Sequence, residues 1–362
     1  MWLRSEYMIK GYNIISADYS EAVPAPCYVQ SAGNVRKIGK CTAVFIETLL
    51  SKTNVLVVKP SEINSFYKII SDFFHCYQII IQERCPNENV TFWLYNKQVY
   101  GYQLKENELI TLQEAPFIPD QRIIFLIHGF TGNRECSPNL QIKPKLIKKG
   151  YNVISVDYEN VAKFPCYLQA VENSKTIARC LADFIETLST IKIKDKSFSL
   201  EDIHLIGFSL GGQIAGKTGA YLKASRKMLS RITGLDVAGP LFYGPTTYLN
   251  KNCAKFVDCI HTCSGRLGKL FPIGHVDFYV NSLIHQNGCD FWNFSCDHGR
   301  APELYAESID SEVGFYGVNF SGDFELMGHN ASTRSNGIYH VETNAKSPFA
   351  KESKKINKNN LD

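Results

Sequence analysis

The run from Ile203 to Gln213 constrains this chain more than any other stretch. An apolar segment from Ile203 to Ile206 predicts a short buried strand, and the residues from Gln213 onward predict a helix. Between them stands Gly-Phe-Ser-Leu-Gly, a pattern that also occurs in ordinary glycine-rich loops. With a strand before it and a helix after it, the pattern predicts a nucleophile elbow that exposes the hydroxyl of Ser209. Gly207 and Gly211 flank the serine because a Cβ at either position would collide with so sharp a turn.

Predicted strands and helices alternate on both sides of this turn. Strands are predicted at 89–95, 122–127, 152–158, 232–236 and 256–261, and a helix at 171–188. Such alternation is typical of an α/β protein with a mainly parallel sheet and helices on both faces. We expect one catalytic domain over residues 85–348.

An internal repeat precedes the predicted domain. Residues 1–52 repeat part of the segment 146–188 at a constant offset, and about half of the matched positions are identical. The first copy has a strand, a loop and a helix pattern but no serine elbow, so we expect it to be non-catalytic. Residues 53–84 are interpreted as a connector, and residues 349–362 as a charged, solvated tail.

Cysteine usage indicates an oxidising compartment. The chain has 12 cysteines without a Cys-x-x-Cys zinc spacing, and Asn-x-Ser/Thr glycosylation sites begin at Asn89, Asn293, Asn319 and Asn330. We therefore expect a secreted glycoprotein, although the N-terminus shows no readable signal peptide. A net charge of +4 without a clustered basic face does not indicate nucleic-acid binding, and no segment is apolar enough to predict a membrane span.

Hydrolysis by a serine requires a base that takes its proton and an acid that orients the base. Asp236 ends the strand that follows the elbow helix, so it is the expected acid, whereas Asp258 lies inside a strand and is interpreted as structural. Four histidines are candidates for the base: His261, His275, His285 and His298. His298 is favoured because it is expected in a loop braced by Cys296, with a helical pattern beginning at Ala301.

Five motifs in order resemble the pancreatic-lipase family, over about residues 85–348. They are Ile127–Phe130, Gly207–Gly211, Gly234–Pro240, Phe256–Thr262 and Cys296–Ala301. The closer likeness is to the insect branch, which includes lipases and venom phospholipases A1. The resemblance implies an α/β-hydrolase fold and a serine carboxylester hydrolase that acts through an acyl-enzyme.

The same resemblance implies residue roles. Ser209 would be the nucleophile, Asp236 the acid and His298 the base, and the backbone N–H groups of Phe130 and Leu210 would form the oxyanion hole. No cofactor is implied. Some relatives bind calcium through acids where this chain has Asn250 and Cys253, so we expect no metal site. Relatives with a second β-sandwich domain continue well beyond the base, and we expect none here.

The resemblance also implies disulfides. We expect Cys289 to pair with Cys296 and Cys85 to pair with Cys166. Cys27 and Cys41 belong to the repeat and have no obvious partner beyond each other.

The loop between Cys289 and Cys296 bears on the substrate. In the family's triacylglycerol lipases this disulfide encloses a lid of about twenty residues, whereas here it encloses six. Such a loop is too short to close over a cleft, so Phe291, Trp292 and Phe294 are expected to form a permanent rim against lipid, although they also fit inward packing. The expected activity is that of a phospholipase A1 at a membrane or droplet surface. A neutral triacylglycerol lipase and a non-catalytic lipid-binding or storage homologue are the alternatives.

Overall fold

A computed structural model of the chain describes Cys76 and residues 80–193, 198–242 and 247–351. All of them belong to the second of the two units into which the chain divides, His75–Asp362. The predicted repeat at 1–52, most of the predicted connector and the pair Cys27 and Cys41 lie outside the described residues.

One sheet of eleven strands forms the centre of the described part, in the order β10-β9-β11-β8-β7-β6-β5-β3-β4-β1-β2. The strands are β1 (Thr91–Tyr95), β2 (Tyr100–Leu104), β3 (Ile123–Ile127), β4 (Asn152–Asp157), β5 (Ile203–Phe208), β6 (Leu229–Leu235), β7 (Ala254–His261), β8 (Val276–Val280), β9 (Phe315–Val318), β10 (Phe324–Met327) and β11 (Gly337–Val341). The seven from β4 to β11 in the sheet pair in parallel, and the strands at both ends pair antiparallel. This is the expected α/β fold with a mainly parallel sheet.

Helices cover both faces of the sheet. They are α1 (Leu109–Gln113), α2 (Asn139–Lys149), α3 (Tyr167–Thr190), α4 (Leu210–Ala224) and α5 (Phe294–Ser308). Apolar residues of α3 and α4 belong to one core cluster, and those of α2 and α5 belong to another. The central strand β3 is buried over its whole length, as a run of five apolar residues between two helical layers requires.

The carboxyl ends of the parallel strands define one edge of this sheet. Ser209 follows β5 directly, Asp236 follows β6, and the loop 128–131 follows β3. Since parallel strands end at the same edge, the sheet alone brings these three chain segments together. None of the described helices combines the length and the apolar character needed to cross a bilayer.

Two disulfides attach the start of the described chain to α3, and they correct one predicted pair. Cys76 is bonded to Cys166 and Cys85 to Cys180, so the expected bond between Cys85 and Cys166 is wrong. The backbone N–H of Ile81 donates to the Asn173 side chain between the two bonds. We call the described residues of this segment, Cys76 and 80–85, the strap; their contacts with α3 follow the helix in its own direction. Cys85 lies beside the middle of α3, about 20 Å from Cys166 at the helical rise of 1.5 Å per residue.

Candidate active site

Ser209 occupies the predicted elbow between β5 and α4. Its φ of 55° and ψ of −120° place it in a region that non-glycine residues rarely adopt. The surrounding contacts explain the two glycines. A Cβ on Gly207 would lie 2.3 Å from the Gly211 carbonyl oxygen, and a Cβ on Gly211 would lie 2.2 Å from the Ile127 carbonyl oxygen. The helix begins at Leu210, three residues before the predicted start, because the turn leads directly into it.

The loop after β3 packs against this serine. A Cβ on Gly129 would lie 3.1 Å from Cβ of Ser209, a tight contact that a glycine avoids. The ring of His128 orients the loop: its Nε2 accepts the N–H of Tyr158 at 3.2 Å, and its Nδ1 lies 2.8 Å from the Gly129 carbonyl oxygen. The proton of the ring is therefore assigned to Nδ1, which donates to that carbonyl. The hydroxyl of Tyr158 donates to the His128 carbonyl oxygen from the other side.

Two backbone N–H groups are left without an acceptor beside the serine. They belong to Phe130 in this loop and to Leu210, the first residue of α4; neither donates a hydrogen bond within the described part of the chain. The N–H groups of a first helical turn have no partner inside the helix and attract negative charge. The Phe130 ring packs edge-on against Tyr167, with centroids 5.1 Å apart, which holds the loop in place.

Asp236 is fully buried immediately after β6. Its Oδ1 accepts the backbone N–H groups of Thr262 at 2.8 Å and Cys263 at 3.0 Å, and its φ is 38°. These bonds fix the direction of the carboxylate. Burial raises the pKa of the Cys263 thiol to about 11, so this neighbour adds no second negative charge at neutral pH.

His298 is hydrogen-bonded to this carboxylate, with 2.5 Å between Nδ1 and Asp236 Oδ2. Its ring also contacts Phe208, the residue before the serine, at 4.6 Å between ring centroids. The expected loop position of His298 is wrong: α5 begins at Phe294, not at Ala301. The Asn293 side chain caps the helix by accepting the N–H of Cys296 at 3.1 Å, which is why the helix begins so early. His298 thus sits in the second turn of a helix.

The competing candidates have other partners. His261 bonds to Asp277 at 2.8 Å, His275 accepts the backbone N–H of Val257, and His285 lies 3.1 Å from Asp297. Asp258 forms a bidentate pair with Arg231, both contacts at 2.8 Å, in agreement with a structural role. Of the four histidines, only His298 contacts both Asp236 and the elbow.

The disulfide between Cys289 and Cys296 is confirmed. Between the two cysteines, residues 290–293 form what we call the aromatic loop. Its Phe291 and Trp292 side chains are 51% and 79% exposed, so the inward-packed alternative is wrong for both. Phe294 departs from the expectation, because it begins α5 and is half-buried.

This combination of a mainly parallel sheet, helices on both faces and an elbow serine at the carboxyl edge defines the α/β-hydrolase fold. Residues 73–329 match the family described as Lipase. The chain belongs to the lipase family and is a carboxylic ester hydrolase.

Two relatives show the same relationship. The chain is 35% identical to "Phospholipase A1" of Vespa velutina over 64% of this chain and 76% of that protein. It is 29% identical to "Pancreatic triacylglycerol lipase" of Mus musculus over 73% of this chain and 65% of that protein. Among solved structures, a dienelactone hydrolase from Anabaena variabilis is 14% identical, covers 40% of this chain and 63% of its own, and has a TM-score of 0.32.

Proposed function

We propose that the protein hydrolyses the sn-1 ester of phospholipids, with Ser209 as nucleophile, His298 as general base and Asp236 as orienting acid. The hydrogen bond between His298 Nδ1 and the Asp236 carboxylate supports this assignment. With its Nδ1 proton donated to the carboxylate, the imidazole keeps a lone pair on Nε2 for the serine proton. The buried carboxylate then stabilises the imidazolium that forms.

The reaction follows from these roles. The hydroxyl oxygen of Ser209 attacks the ester carbonyl while its proton passes to His298. The N–H groups of Phe130 and Leu210 bind the oxyanion, and each such donor is worth about two to three orders of magnitude in rate. Collapse of the intermediate expels the lysophospholipid alcohol with the proton from His298. Water, activated by the same histidine, then releases the fatty acid from the acyl-enzyme.

The observation that carries the choice of substrate is the aromatic loop. Its four residues are tied at one end by Cys289 and at the other by α5, so the loop is too short to cover a cleft and then open. Its exposed Phe291 and Trp292 present apolar surface next to the helix that carries His298. The amphipathic indole ring of Trp292 favours the interface of a bilayer, and the phenyl ring of Phe291 adds apolar surface beside it. A permanently open site suits a lipid that already presents its ester at a membrane surface.

The proposed setting is extracellular. Three disulfides tie the described part of the chain together, and such bonds persist in oxidising compartments. The substrate would be met at a membrane or droplet surface.

Hydrolysis of phosphatidylcholine and of triolein, each measured across the onset of aggregation, tests the proposal. We expect sn-1 fatty acid release from phosphatidylcholine to exceed triolein hydrolysis, without a jump in rate when aggregates form. A sharp jump in rate when triolein aggregates, and none with phospholipid, would contradict a phospholipase and favour a triacylglycerol lipase. Ser209→Ala is the control, and equal inactivity of both proteins on a short ester would favour the lipid-binding alternative.

A further inference from the structure

Arg266 lies where three segments around the candidate site meet. It belongs to the loop 263–270, in which Gly268 packs directly against the Asp236 carboxylate. The guanidinium carbon of Arg266 lies 4.9 Å from the ring centroid of Phe291 and 4.3 Å from that of Phe294. Its Nη1 donates to the Phe291 carbonyl oxygen at 3.1 Å. One side chain therefore holds a residue inside the aromatic loop and the first residue of the helix that follows it.

The same guanidinium faces a buried carboxylate beside the proposed general base. Its Nη1 lies 3.8 Å from Oδ2 of Asp297, which is fully buried and directly precedes His298. Oδ1 of Asp297 accepts the backbone N–H of Gln286 at 2.7 Å, and Nδ1 of His285 lies 3.1 Å from it. A buried carboxylate is costly without a partner of opposite charge, and Arg266 supplies that charge from outside α5.

The chemistry of arginine suits this position. Its planar guanidinium stacks on rings and donates hydrogen bonds in its plane at the same time, which a lysine ammonium does not. The side chain is only 18% exposed, and a cation over an aromatic ring is held more strongly when water is excluded. Other contacts of the aromatic loop lie mainly near its ends: the disulfide, the hydrogen bond from Asn293 N to Asp290 O, and those that Asn293 accepts from Cys296 and Asp297. Phe291 also has ring contacts with His285 and Trp292.

We propose that Arg266 is a positioning residue that fixes the conformation of the aromatic loop and keeps Phe291 and Trp292 facing lipid. This inference rests on the proposed function, since it concerns how the same site meets a lipid surface. Without Arg266, Phe291 loses a backbone hydrogen bond and a cation–π contact, and the two exposed rings are no longer held in one direction towards lipid.

Two variants and one control test the assignment. Arg266→Met keeps the length of the side chain but removes its charge and hydrogen bonds, and Arg266→Lys keeps the charge alone. Arg334→Met, at an exposed arginine outside this cluster, is the matched control. Each protein is assayed on phosphatidylcholine vesicles and on soluble p-nitrophenyl butyrate. The fluorescence anisotropy of Trp292 is calculated from polarised emission intensities, after subtraction of those of the same protein carrying Trp292→Phe.

For Arg266→Met we expect the ratio of vesicle to soluble-ester turnover to fall about tenfold, the free-energy equivalent of one buried cation–π contact. Trp292 anisotropy should fall with it. Arg266→Lys should fall between wild type and Arg266→Met in both measurements, and Arg334→Met should match wild type.

An unchanged ratio together with an unchanged Trp292 signal would overturn the proposal. An equal loss on both substrates in a folded protein would also overturn it, because Arg266 would then act on the catalytic pair rather than on the loop. If Arg266→Met does not fold, Arg266→Lys decides by the same two measurements. If wild type hydrolyses no phospholipid, the proposed function fails, and the Trp292 signal still decides the role of Arg266.

Discussion

Asp236 and His298 come from elements far apart in the chain, and their contact defines the chemistry proposed for this site. We expect Asp236→Asn and His298→Ala each to lower kcat by about three orders of magnitude or more, because such residues act as a unit. The far-ultraviolet circular dichroism of both variants should match wild type. An organophosphonate should label Ser209 in the wild type, and labelling at another serine would contradict the assignment.

Gly268 also fixes the position of the Asp236 carboxylate, because it packs directly against it. A Cβ on Gly268 would lie 2.4 Å from Oδ1 of Asp236, far inside van der Waals contact. We expect Gly268→Ala to displace the carboxylate and to lower kcat by about one to two orders of magnitude, since small displacements of a catalytic group are costly. The control is Gly299→Ala, next to His298, where an added Cβ meets nothing within 4 Å. Equal kcat values for the two variants would contradict the prediction.

At the residue scale, the sequence identifies residues that stand in recognisable motifs. It does not identify residues whose importance comes from contacts made only in the folded chain. Ser209 was marked by its glycines, and Asp236 by its place at the end of a strand. Gly268 and Arg266 had no such signal, because their importance comes from loops that meet only in the folded chain. Asp297 directly precedes His298 in the sequence, but no sequence pattern predicts its burial or its contact with Arg266.

At the scale of elements, the disulfide that attaches the strap to the middle of α3 allows a test of how loop closure contributes to stability. The bond between Cys85 and Cys180 closes a separation of 95 residues, whereas that between Cys289 and Cys296 closes a separation of 7. Because the bond between Cys76 and Cys166 stays closed, the bond between Cys85 and Cys180 closes an effective loop of only about 25 residues. If loop closure dominates, removing it should lower the free energy of unfolding by about 1 kcal/mol more than removing the bond between Cys289 and Cys296. Urea unfolding of the two paired Cys→Ser variants measures this difference.

The matched control for that comparison is Cys136→Ser, because Cys136 is exposed and has no disulfide partner among the described residues. We expect its free energy of unfolding to stay within about 0.5 kcal/mol of wild type. Equal losses for the two disulfides, or a larger loss for the short one, would show that loop closure does not govern their contributions.

Element boundaries show why the sequence is less informative at this scale. The ends of the central strands are predicted to within a few residues, because an unbroken apolar run marks where a buried strand begins and ends. The start of α5 was missed because Asn293 was interpreted as part of a tethered loop rather than as a helix cap. The partner of Cys85 was missed because the direction of the strap along α3 depends on packing that no local pattern encodes.

At the scale of the whole molecule, the amino ends of the parallel strands form a second polar region, opposite the edge that carries Ser209. A cavity of about 510 Å³ opens there between the starts of β3, β5 and β6. His329 lines it, with Nδ1 3.3 Å from the hydroxyl of Tyr305 and Nε2 3.2 Å from that of Tyr151. Burial, and then the positive charge of Arg231, lowers the pKa of His329 to about 4. The ring is therefore uncharged in the folded protein at neutral pH.

This lowered pKa makes global stability sensitive to acid. An unfolded histidine binds its proton near pH 6.5, whereas the folded one binds it only near pH 4. Between these values the unfolded state holds more protons, so stability is lost as the pH falls from about 6.5 to about 4, and no further loss from this group follows below that. The loss is on the order of 2 kcal/mol, smaller than the full shift because the ring is partly exposed.

His329→Gln should remove that part of the pH dependence, since an amide can still hydrogen-bond to the two tyrosines but does not titrate. Urea unfolding at several values between pH 7.5 and pH 4 should therefore give a flatter profile for this variant than for wild type. His340→Gln, at an exposed histidine, is the control and should keep the wild-type profile. Because the cavity lies at the edge away from Ser209, short-ester hydrolysis at neutral pH should stay at the wild-type level in both variants. A wild-type acid profile in His329→Gln would show that another buried group carries the acid sensitivity, and His204, whose pKa burial also lowers, would be the first to examine.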